Sequence, residues 1–190
     1  MTRKRIRDIR HEELIGATIA ALHENGYAVV TMADIARRAG ASAASINYYF
    51  GSKERLLEAT MRHLLTLLRS AMRDRYKTAT TPRERLFAVV EANFDDRLFT
   101  TAQCNVWIQF WANAPYSERL ARLHRINLAR VTSHFRAELR SLLPEARRET
   151  ARAVLQAYLD GVWLAAAQGG AVEPEYAREE ARRVVNALVG

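Results

Sequence analysis

The chain has 190 residues, a formal net charge of +8 and 49% hydrophobic residues, with 8 Gly, 4 Pro and 1 Cys. That length supports one domain, or a small module joined to a larger one, with a core that needs no disulfides. The lone cysteine, Cys104, excludes a disulfide framework and a multi-thiolate metal site, and it fits a reducing cytoplasm.

Sparse breakers and abundant Ala, Leu, Arg and Glu predict an all-α chain of about nine helices. Met1 to Arg10 is a basic arm with no apolar signal core behind it. The first helix runs from Ile9 to Asn25 and stops at Gly26. Thr31 caps a second, Met32 to Ala39, which Gly40 ends. Ser42 caps a third, Ala43 to Tyr49, and Ser52 caps a long fourth reaching about Lys77. Thr81-Pro82 opens the fifth, to about Leu98, and the sixth covers Ala102 to Ala114. Ser117 to Leu143, Glu145 to Gln168, and Pro174 or Glu175 to Leu188 complete the set. The longest uncharged stretch, Leu98 to Ser117, holds Gln103, Asn105 and Gln109 and is too polar to span a bilayer, so no membrane partner is expected.

Thr31 to Lys53 reads TMADIARRAGASAASINYYFGSK, a spacing that suits a helix-turn-helix. Ile35 and Ala36 face inward, Gly40 makes the turn and Ile46 plugs the angle between the helices. Ser42, Ala43, Ala44, Ser45, Asn47 and Tyr48 then face outward on a helix whose short side chains can sit deep in a major groove. With Thr31 at the preceding cap, these are the candidate DNA contacts. The bland alternative is a helical corner without a ligand. The basic arm in front, with Arg3 and Arg5, is either a solvated tail or a DNA-backbone contact. The order of arm, Tyr48-Tyr49-Phe50 and Gly51-Ser52-Lys53 resembles the TetR-type repressor signature. The resemblance implies that Tyr48 and Lys53 clamp phosphates, and Lys53 opens a helix whose backbone amides also favour phosphate.

Residues 1–53 carry 8 basic and 5 acidic groups, whereas residues 79–115 carry 3 and 4. The basic end thus coincides with the motif, and the near-neutral middle is rich in aromatics. Trp107 and Trp111 share a helix face beside Phe110, Phe94 and Asp95 end the preceding helix, and Tyr116 follows Pro115. Tyr158, Asp160 and Trp163 lie in an Ala-rich helix. An aromatic stripe is ordinarily core. Asp160 changes the balance, because an ionised carboxylate among apolar residues needs a partner. A cationic ligand stacked on indole would supply one; so would Tyr158, an Arg or water in a dimer interface. All nine of these residues are candidate ligand contacts.

The strings LLEATMR (Leu56 to Arg62), Asn93-Phe94-Asp95, Phe110-Trp111-Ala112, Leu120-Ala121-Arg122-Leu123, Phe135-Arg136-Ala137-Glu138-Leu139 and Asp160-Gly161-Val162-Trp163-Leu164 resemble the BetI branch of the TetR family, choline-responsive repressors of glycine betaine synthesis genes. The resemblance implies a homodimer on double-stranded, pseudo-palindromic operator DNA. It implies a DNA-binding domain over residues 1–52 and a ligand-binding and dimerisation domain over 53–190. Leu155, Leu159, Val162, Val184, Val185 and Leu188 are the expected dimer seam. The alternative within the same fold is a repressor of an efflux pump responding to hydrophobic cations. No nucleophile elbow, phosphate loop or paired-His metal signature is present, so neither enzyme activity, metal nor cofactor is expected beyond a small-molecule effector. His11, His23, His63, His124 and His134 read as surface residues on polar helix faces, and Cys104 as a small core residue.

Overall fold

The computed structural model describes residues 6–170 and 173–190, with residues 6–9 as backbone alone. Among them the chain forms nine α-helices, two short 3₁₀ turns and no strand. They are α1 (Ile6–Asn25), α2 (Met32–Arg38), α3 (Ala43–Phe50), α4 (Lys53–Tyr76), α5 (Pro82–Glu91), α6 (Thr101–Asn113), α7 (Glu118–Leu142), α8 (Glu145–Ala167) and α9 (Pro174–Val189). The expected basic arm is partly helical, since α1 begins at Ile6 rather than Ile9.

Side-chain caps set most of the helix starts. The Thr31, Ser42, Ser52, Thr81, Thr100 and Ser117 hydroxyls each accept the backbone N–H three residues on, satisfying a donor the helix itself cannot pair. Thr31 with Asp34 and Thr81 with Glu84 form reciprocal capping boxes. Gly40 ends α2 at φ 56°, a left-handed value that favours glycine. The Ala41 N–H then reaches back to the Ala36 carbonyl at 2.9 Å.

Helix α5 stops seven residues short of its expected end. A 3₁₀ turn at Ala92–Phe94 follows, and the Asp95 carbonyl accepts from the Leu98 and Phe99 amides at 2.8 Å each. The turn stacks the buried rings of Phe94 and Phe99 edge to face at 5.0 Å, an apolar gain that periodicity along one helix cannot reveal.

Helix α6 packs along α8, α5 packs against α7 and α9, and α1 rests on α4 and α6. One apolar cluster runs from Leu22 and Ile46 through Leu56 and Phe110 to Leu155 and Val185. Leu155, Leu159 and Val185 are therefore interior residues of the protomer, which corrects their expected place in a dimer seam. The large apolar residues exposed on α8 and α9 are instead Val154, Leu164 and Tyr176. Val162, Val184 and Leu188, the other residues of that expected seam, are half-buried. None of the helices within the described residues is long and apolar enough to cross a membrane.

Candidate effector cavity and nucleic-acid interface

Helices α2 and α3 place the expected DNA contacts on one surface. Ile35, Ala36, Ile46 and Phe50 are buried beneath it, while Ala43, Ala44, Asn47 and Tyr48 are exposed. Tyr48 is 82% exposed, its ring set edge-on to Tyr49 at 5.4 Å, so its hydroxyl is free to reach outward. The Thr31 and Ser42 hydroxyls are both occupied in helix caps, and Ser45 is half-buried. Lys53 is the first residue of α4, next to the Ser52 cap, where N–H groups point out of the helix end. Arg3 and Arg5 lie outside the described residues.

The second site is a cavity of about 270 Å³ between α6, α7 and α8. Trp111 forms its wall from α6, and Gln156 and Asp160 come from α8. Helix α7 contributes His124, Asn127, Leu128 and Val131. Spacing explains the convergence: residues 124, 127, 128 and 131 share one face of α7, and 156 and 160 share one face of α8. The Trp111 and His124 rings meet edge to face at 6.2 Å.

Asp160 accepts a hydrogen bond from Gln156 Nε2 at 2.8 Å and has no cationic side chain bonded to it among the described residues. Burial pushes its carboxyl above the usual carboxylate range, only partly offset by the Gln156 bond and by His124. The buried atoms Trp111 Nε1, His124 Nδ1 and Gln156 Oε1 have no hydrogen-bond partner among the described residues.

Of the nine expected ligand contacts, the structure brings only Trp111 and Asp160 together at this cavity. Trp107 and Trp163 pack on each other at 4.9 Å in the core, with Phe99 against Trp163 at 5.9 Å. Phe110 is buried edge-on to Tyr27 at 6.1 Å, joining α6 to the end of α1. Phe94 is core, and its carbonyl accepts from Arg178 at 2.7 Å. The Asp95 carboxylate is taken by Arg97 at 2.7 and 3.1 Å, which holds its carboxyl below the ordinary value. Tyr116 is 88% exposed on a 3₁₀ turn away from the cavity. Tyr158 sits on the side of α8 where Glu180 and Tyr176 of α9 raise its phenol after burial has done so.

His124, Asn127, Leu128, Val131 and Gln156 were missed. The Gln156-Asp160 pair at i, i+4 in an Ala-rich helix was the available signal; the α7 residues gave none, because only tertiary packing selects their face. His11, His63, His124 and His134 are half-buried, which corrects their expected surface positions, and only His23 is exposed; His134 packs against the Tyr76 ring at 5.6 Å. Cys104 is fully buried and its thiol is pushed up to about 12, so it is inert core. No cluster of three metal-binding side chains occurs among the described residues.

The TetR-family bacterial regulatory profile matches residues 14–60, the helix-turn-helix, and a BetI-type transcriptional repressor C-terminal profile matches residues 82–190. The chain belongs to the TetR family of regulators, of BetI type. An HTH-type transcriptional regulator BetI from Burkholderia mallei (strain NCTC 10229) is 42% identical over 166 residues, covering 87% of this chain and 85% of its own. One from Burkholderia cenocepacia (strain HI2424) is 39% identical over 186 residues, covering 97% and 96%. Among solved structures, a TetR transcription regulator from Haloarcula marismortui superposes with a TM-score of 0.80 at 25% identity, over 96% of this chain and all of that one. A transcriptional regulator from Saccharomonospora viridis, solved in complex with choline, matches at 0.80 and 20% identity, over 94% and 96%; at that identity it supports the fold alone. This is a transcriptional repressor of BetI type, and its relatives are regulators rather than enzymes.

Proposed function

We propose that this repressor senses choline and controls glycine betaine synthesis genes. The reading rests on one observation: a half-buried indole and a carboxylate without a cationic partner share a cavity of about 270 Å³. An ammonium carrying methyl groups is held by an aromatic face and a nearby negative charge. The volume lies just under the roughly 300–1,000 Å³ usual for drug-sized ligands, which favours a small quaternary ammonium over bulky lipophilic cations. The unpaired Trp111 Nε1 and Gln156 Oε1 add polar groups that a hydroxyl could satisfy. The name of the Burkholderia relatives and the choline bound by the Saccharomonospora protein point the same way.

In this reading residues 1–52 read DNA and residues 53–190 sense the ligand and dimerise. Two copies hold their recognition helices about 34–36 Å apart, or a multiple of that, on a pseudo-palindrome. Arg3, Arg5, Tyr48 and Lys53 contact phosphates, and Ala43, Ala44 and Asn47 meet base edges. Choline acts by binding one domain arrangement better than another. Asn127 and Val131 line both the cavity and a small gap against Leu68, Arg69 and Met72 of α4. On α6, two residues before Trp111, Gln109 donates to the Leu22 carbonyl of α1 at 3.1 Å. Helix α6 thus carries a wall of the cavity and a hold on α1, and α7 carries a wall and a contact with α4, the helix that opens at Lys53. The test is choline titrated into the complex with DNA from upstream of its own gene, followed by fluorescence anisotropy. Release of the DNA is expected; unchanged anisotropy at saturating choline refutes the mechanism.

A further inference from the structure

The effector cavity opens onto a face that nothing among the described residues covers. Leu128 borders both the cavity and a shallow groove of about 620 Å³ along α7. Positions 124, 128, 131 and 135 form one stripe of that helix. Phe135 on this stripe is fully buried, yet Leu128 is 41% exposed, so the stripe surfaces at the cavity mouth. Across the mouth, Gln156 and Asp160 of α8 face inward while their neighbours Ala157 and Gly161 are exposed. Val154 and Leu164 beside them are 41% and 43% exposed.

Charge indicates what covers this face. The groove carries Arg125, Arg136 and Arg140, of which Arg125 and Arg140 pair with no carboxylate among the described residues. Glu173 just before α9 and Glu175 and Glu179 in its first turns are exposed, Glu175 beside Arg178 and Glu179 beside Arg183. Under two-fold symmetry each copy offers the other the surface it lacks, arginines against glutamates and apolar strip against apolar strip.

We propose that a second copy of this chain closes the mouth of the effector cavity, so that the site is complete only in the dimer. This rests on the dimeric, ligand-sensing reading above and deepens it. Closure removes the mouth from water, which strengthens the attraction between Asp160 and a cation. Ligand binding and dimerisation then reinforce each other by the same factor.

Gly161→Arg tests the proposal, because no atom lies within 4 Å of where its Cβ would stand, so the protomer itself accepts the side chain. Leu164→Glu is the second variant. Sedimentation velocity reads the dimer and acrylamide quenching of indole fluorescence reads Trp111, since Trp107 and Trp163 are buried. Both variants are expected to become monomers of unchanged helical circular dichroism with a steeper quenching slope. Choline affinity is expected to fall about tenfold. Diluting the unmodified protein through its dimer dissociation reads the same change in slope without any substitution. Variants that stay dimeric overturn the proposal, and so do monomers whose quenching slope matches the dimer's. If the unmodified protein gives no choline heat while the quenching contrast holds, closure stands and only the choline assignment falls.

Discussion

Asp160 costs the protein stability when ionised, and in the proposed function its charge is what a cationic ligand meets. Burial raises its carboxyl above the ordinary value, so the unfolded chain ionises first as pH rises. Stability is therefore lost between the ordinary and the raised value and stays lower above it. Asp160→Asn is expected to raise the ligand-free melting temperature at neutral pH while abolishing the choline response, a trade of stability for function. Choline needs the ionised carboxylate, so its affinity should fall as pH drops through the raised value in the native protein and stay flat in Asp160→Asn; calorimetry across pH reads this. The tryptophans divide in the same way. Trp111→Ala should weaken choline by about 1–2 kcal/mol with little loss of fold, whereas Trp163→Ala should cost roughly 3–5 kcal/mol of stability. Chemical denaturation and ligand titration on both variants separate the two. At this scale the sequence was half legible. Asp160 stood out because an ionised carboxylate among apolar residues needs a partner. Trp107 and Trp163 did not separate from Trp111, because which of three indoles faces a void depends on how α6 meets α8.

Helix ends were legible wherever a side chain caps the backbone, as at Thr31, Ser42, Ser52 and Thr81. The end of α5 was not. Asn93 Nδ2 bonds back to the Val89 carbonyl at 2.9 Å and the chain turns at Asp95 to bury Phe94 and Phe99. That turn is held by tertiary stacking that no local signal carries. The start of α4 gives an element-scale prediction. Lys53 stands at its N-terminus, so Lys53→Ala should weaken binding to all DNA sequences about equally and lower the salt slope by roughly one unit. Binding isotherms at several salt concentrations check this. A changed base preference with an intact slope contradicts the phosphate role.

At the scale of the molecule, a basic end carrying the helix-turn-helix and a near-neutral, aromatic-rich stretch over residues 79–115 were legible from charge and motif. The cavity was not, because its walls are single faces of three successive helices, and which faces meet is set only when the chain turns at Ala114–Tyr116 and reverses at Leu143-Pro144. The positive charge of the last third, which had no function in the sequence, now lies partly in the α7 groove at Arg125, Arg136 and Arg140. Chain reversal, cavity and groove together make α7 the helix that borders the cavity, α4 and the exposed face at once. Whether the cavity is a choline receptor is decided by titration calorimetry of choline into the purified protein at neutral pH. Saturable binding, lost in Asp160→Asn, is expected. No heat with choline, alongside binding of a bulky lipophilic cation, would contradict it and favour an efflux-type sensor.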